Sequence, residues 1–175
     1  MRIRRKHVII AVAIALITVC MLAVVIGLIA RELMGTAVTT HVADIAAVKE
    51  FPGWSKELPD WLRRTRFAGG VDYAAVSAVR HYTFYAAGSI DQSGFDEFAK
   101  ALGVTPQHGK VAEFADEFNR EPECFGLDMK KFGIQRDGEY FFSHDALSPD
   151  AEFRCTFYYS PQSGWMVLYL LYLWQ

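Results

Sequence analysis

A basic cluster, Arg2, Arg4, Arg5 and Lys6, opens the chain, and from Val8 to Ala30 there follows a stretch with no charge, no proline and a single glycine. As a helix this stretch rises about 34 Å, enough to cross a hydrocarbon core of about 30 Å. In lipid every peptide group must find an internal partner, and an unbroken helix supplies them all despite the many valines and isoleucines. The apolar part exceeds the roughly 7–15 residues of a cleavable signal peptide, so an uncleaved signal-anchor is expected. Basic residues crowd the near side, while on the far side Arg31 is offset by Glu32. That asymmetry places residues 1–7 in the cytoplasm, a transmembrane helix at 8–30 and everything after it outside the cytoplasm, in the periplasm if the membrane is a bacterial inner membrane.

Beyond the span the periodicity changes several times. Val38, Val42, Ile45 and Val48 allow a helical stalk that ends at Pro52-Gly53, so residues 31–70 read as stalk and loop and 71–175 as a compact domain. Within the loop, Trp54 and Trp61 stand near Arg63 and Arg64, a composition suited either to lying along lipid headgroups or to capping the domain. Ala78 to Ala87 is rich in strand formers and reads as the first strand. Phe95, Phe98, Ala99 and Leu102 recur at helical spacing over Asp91–Leu102, with Ser93 and Asp96 resembling a capping box and Gly103 as the stop. Val111, Phe114, Ala115 and Phe118 repeat the spacing in a second helix whose acidic side carries Glu113, Asp116 and Glu117.

The last third reads as strands. Phe132–Arg136 and Glu139–Ser143 flank Asp137-Gly138, a dipeptide suited to a tight hairpin. Glu152–Tyr159 alternates, with Phe153, Cys155, Phe157 and Tyr159 on one face and Glu152, Arg154, Thr156 and Tyr158 on the other, expected to meet water. After a turn at Ser160–Gly164, the run from Trp165 to Trp174 is apolar on both faces and, at ten residues, too short for a second span. The expected class is α+β: a mainly antiparallel sheet of about five strands with two helices on one face.

Composition narrows the function classes. With 52% apolar and 22% charged residues and a net charge of -2, the chain is neither a disordered tail nor a basic nucleic-acid binder. It has three cysteines and no C-x-x-C pair, so a metal-stapled fold is not indicated. Outside the membrane span, Cys124 and Cys155 are candidates for one disulfide, the competing reading being a buried thiol at Cys155. His41, His81, His108 and His144 lack the spacing that would bring two onto one metal from a single element. His81 could join His144-Asp145 only if their strands pair. No G-x-S-x-G elbow, phosphate-cradling loop or dinucleotide fingerprint occurs, and no cofactor is implied.

Two functional expectations remain. The first is a membrane-anchored extracytoplasmic binding module, an accessory or assembly subunit of a larger membrane or envelope complex, which has the lipid bilayer and a protein partner or a second copy as its contacts. Leu168, Leu170, Tyr172 and Trp174 on one face of the last strand are then the interface, since a small two-layer domain leaves one face of an all-apolar strand uncovered. The second is a ligand-binding or enzymatic domain with a pocket lined by Tyr82, Phe84, Tyr140 and Phe142.

Overall fold

A computed structural model describes residues 2–34, 36–78, 81–111 and 113–173. The chain forms two compact units, residues 1–35 and 36–175.

The first unit is one helix, α1 (Arg2–Met34). Its Val12–Ile29 portion has a mean hydropathy of 3.0 and is long and apolar enough to cross a membrane, and its side chains are exposed.

The second unit is α+β and is built on one antiparallel sheet of seven strands. In chain order these are β1 (Thr36–Val42), β2 (Ala68–Ala78), β3 (His81–Ser89), β4 (Gln107–Lys110), β5 (Glu139–Leu147), β6 (Phe153–Tyr159) and β7 (Trp165–Tyr172), arranged across the sheet as β1-β2-β3-β7-β6-β5-β4. The last strand therefore inserts at the centre, between β3 and β6. Its two-sided apolar pattern follows from that position, because a central strand is covered on both faces.

Helical cover lies on both sides of the sheet rather than one. On the first face Val71, Tyr73, Phe84, Cys155, Phe157, Met166, Leu168 and Leu170 form a continuous core with Ile45, Phe51, Leu58, Trp61 and Leu62 from the long β1–β2 connection and with α3 (Gln92–Leu102). The connection includes the short helix α2 (Asp60–Arg63). Helix α3 keeps its apolar stripe of Phe95, Phe98, Ala99 and Leu102 buried, but its cap is Asp91, which accepts from the Gly94 N–H at 2.7 Å, not Ser93. Gly103 ends it at φ 77°, a left-handed conformation that glycine adopts without steric cost.

On the second face, Ala74, Tyr85, Ala87 and Val167 pack with Leu127, Met129 and Phe132, and Tyr140 and Tyr158 pack with Val111, Ala115 and Ile134. The cover here is α4 (Ala115–Cys124) and α5 (Met129–Phe132).

Further sequence expectations change, beginning with the strand number, which is seven and not about five. Residues 36–50 do not form a stalk: Thr36–Val42 pairs with β2 from Thr36↔Ser77 to Val42↔Val71, because Val38, Thr40 and Val42 alternate as well as they repeat at helical spacing. The strand expected over Ala78–Ala87 is β3 (His81–Ser89), and a further strand, β2 (Ala68–Ala78), precedes it and pairs with it. The Asp137-Gly138 hairpin does not form, because β5 pairs with β4 and β6 instead. The Ile134 N–H donates to Asn119 Oδ1 and the Ile134 carbonyl accepts from Asn119 Nδ2, both at 2.9 Å, so a side chain takes the place of a strand partner.

Candidate functional site

Helix α4 covers only part of the second face, and beside it lies a cavity of about 310 Å³. Its lining comes from α4 and the residue preceding it (Phe114, Glu117, Phe118, Glu121), from β5 (His144, Asp145), from β6 (Thr156, Tyr158), and from Tyr85 on β3 and Tyr169 on β7. The four residues from α4 and its start follow the i, i+3, i+4, i+7 spacing that puts them on one helical face. The three strands β3, β7 and β6 are adjacent, so Tyr85, Tyr169, Thr156 and Tyr158 share a surface.

His144 and Asp145 reach the cavity through a bulge. Ser143 pairs with Phe157 and Ala146 with Cys155, so two residues of β5 oppose Thr156 alone. Asp145 takes a positive φ of 52°, and its N–H donates to Thr156 Oγ1 at 3.1 Å. The irregularity spends backbone strain to turn two polar side chains toward one spot, a device common beside functional sites.

The polar groups are linked in pairs. The buried Tyr85 hydroxyl donates to Glu121 Oε2, and burial first, then this carboxylate, pushes the Tyr85 pKa well above the usual range. Tyr158 Oη lies 2.7 Å from His144 Nε2. Burial pushes the Tyr158 hydroxyl up to about 12, and burial followed by the Glu121 charge does the same for Tyr169. Burial lowers the pKa of His144, opposed by Asp145, so the imidazole is neutral at pH 7. The cavity thus holds neutral rings and phenols with three acidic side chains, and among the described residues no lysine or arginine lines it. Asp145 has Arg154 3.8 Å away, both side chains largely exposed.

Among the described residues no group of three His, Cys, Asp or Glu side chains could hold a metal ion. His81 and His144 lie on β3 and β5, which β7 and β6 separate, so their strands do not pair. His41 Nδ1 instead meets Asp72 at 2.6 Å, and the His108 ring packs on Phe141.

The other expected sites are placed differently from the sequence reading. Cys124 and Cys155 are both free thiols. Cys155 is fully buried on the first face, whereas Cys124 is exposed at the end of α4 on the second, so the sheet stands between them. Leu168 and Leu170 have 0% exposure under the β1–β2 connection and α3, and thus present no surface to a partner. Tyr172 is half-buried, with its ring against Trp54 at 4.5 Å and Phe153 at 5.4 Å, and Trp174 lies outside the described residues. Trp54 stacks on Tyr82, and Trp61 is buried against Phe98, so the two tryptophans pack on the core. Arg63 is half-buried and Arg64 exposed, each within 4 Å of an Asp60 oxygen, at 3.6 and 3.8 Å. Tyr82 and Phe84 are buried on the first face and Tyr140 and Phe142 belong to the second, so those four residues share no pocket.

Sequence reasoning missed Tyr85, Glu121, Tyr158 and Tyr169. One signal was present: Phe114, Glu117, Phe118 and Glu121 mix rings and carboxylates on a single helical face instead of separating them. No protein-family model, no curated protein and no solved structure matches this chain.

Proposed function

We propose that the protein is a membrane-anchored binding module, held in the bilayer by α1 as an uncleaved signal-anchor, with the α+β unit outside the cytoplasm and the cavity beside α4 as its binding site. The observation that carries this reading is the convergence of polar and aromatic side chains from α4, β3, β5, β6 and β7 on one cavity, two of them delivered by a bulge. A cavity of this size, mostly ring-walled with a few placed polar groups, is the usual form of a small-molecule site. Docking through the last strand loses its support, because Leu168 and Leu170 are spent on the core.

The test is a fragment screen by ligand-observed NMR on the full chain in nonionic detergent, repeated on Glu117→Trp, which places a bulky ring at the cavity from an exposed position on α4. Fragments that bind the native protein are expected to lose binding in the variant. A set of hits indifferent to Glu117→Trp would overturn the assignment of the site.

A further inference from the structure

The charge and ring content of the cavity identify the class of ligand. Its carboxylates are Glu117, Glu121 and Asp145, and the remaining walls are Tyr85, Phe114, Phe118, Tyr158, Tyr169, Thr156 and a neutral His144. Carboxylates only accept hydrogen bonds. The hydroxyl of Tyr85 is already donated to Glu121, Thr156 Oγ1 accepts from Asp145, and Tyr158 is engaged with His144. What this set lacks is a cationic donor. An anionic ligand would meet three like charges and, among the described residues, no lysine or arginine in the lining.

One lining carboxylate does meet a cation: Arg154 Nη1 is 3.8 Å from Asp145 Oδ2, with side chains 51% and 67% exposed. An ion pair that open to solvent is weak and leaves Asp145 able to take another partner. A bare metal ion requires several oxygen or nitrogen ligands converging at about 2.0–2.6 Å, and no such group exists among the described residues. An organic ammonium ion makes no such demand: it accepts spread-out carboxylates and aromatic walls together, the rings attracting it through their quadrupoles. At about 310 Å³ the space is at the small end for ligand sites and suits a single small molecule.

We propose that the cavity beside α4 binds a small organic ammonium ion, its charge among Glu117, Glu121 and Asp145 and its hydrocarbon part against the tyrosine and phenylalanine rings. This rests on the cavity being the binding site proposed above.

Isothermal titration of the full chain in nonionic detergent tests it with choline and with cadaverine, against 3,3-dimethyl-1-butanol, an uncharged molecule of choline's shape, and succinate, an anion. Saturable binding of at least one of the two cations is expected, with neither control binding. Glu121→Gln keeps an acceptor for Tyr85, and Asp145→Asn keeps a side chain that tolerates positive φ, so both changes remove charge with little change of shape. Each is expected to weaken cation binding about tenfold, the loss of one charge-assisted contact. If Glu121→Gln melts early through its link to Tyr85, Asp145→Asn alone carries the test. Equal binding of the uncharged alcohol, or cation binding indifferent to these variants, overturns the ammonium assignment, as does the failure of both cations to bind. Uncharged fragments that still depend on Glu117 would in that event keep the cavity as a site, whereas no Glu117-dependent ligand of any charge removes both readings.

Discussion

At the scale of single residues, the two cysteines of the α+β unit show how position sets chemistry. Burial holds the Cys155 thiol far above its ordinary pKa, and only a thiolate reacts quickly with a maleimide. Cys124 is exposed at the end of α4. In a Cys20→Ser background, native protein is therefore expected to take up one maleimide, at Cys124, and a second at Cys155 only after unfolding, without any reductant. Mass spectrometry reads the two sites directly, and a peptide linking Cys124 to Cys155 would contradict the free thiols. The clean alternation of β6 did place Cys155 in the core, but it also put Tyr158 in water. Tyr158 is buried because Phe118, from an element distant in sequence, packs edge-on against it at 4.7 Å and His144 on the neighbouring strand meets its hydroxyl. Alternation tells which residues share a face; it does not tell what covers that face.

At the scale of elements, legibility follows locality. Helix α3 could be read because its stripe, its stop at Gly103 and the acidic residue before it are all within the segment. The turn at 160–164 is equally local: Gly164 has a φ of 70°, a conformation natural to glycine. Strand β4 left no trace, since Gln107–Lys110 has no apolar alternation and forms only through pairing with β5. Helix α5 was hidden by the same Asp137-Gly138 signal that argued for a hairpin, and it stands on Asp128, which accepts from the Lys130 N–H at 3.0 Å. The central place of β7 was the least legible feature, because it depends on the order of all seven strands. It has a direct energetic consequence. Leu170→Ser removes a fully buried side chain and adds a hydroxyl, and the large-to-small loss alone is about 2–5 kcal/mol. Tyr172→Ser, at a half-buried position, is expected to cost clearly less. Chemical denaturation of the full chain in detergent measures both. A Leu170→Ser protein as stable as the native one would show that the second unit does not bury its last strand.

At the scale of the whole molecule, the α+β unit and α1 make opposite demands on their surroundings. The unit buries its large apolar side chains so fully that, outside α1, the large ones left exposed among the described residues are Phe114 and Leu147. In α1 they are exposed from Val12 to Ile29. A water-soluble protein rarely carries so long a bare apolar surface, which is why α1 is assigned to the bilayer in the proposal above. A signal sequence passes the same test of length and composition, and the direction of insertion rests on Arg2, Arg4, Arg5 and Lys6 against Arg31 and Glu32. Two measurements on the full chain expressed in bacterial cells decide these points. Intact mass of the membrane-bound protein is expected to include residues 1–35, as an anchor requires. Protease added to spheroplasts is expected to digest the unit from Thr36 onward and to leave a protected fragment containing Arg2–Lys6. A mature protein lacking α1 would make the helix a signal sequence, and an α+β unit protected until the membrane is opened would reverse the orientation and place the cavity beside α4 in the cytoplasm.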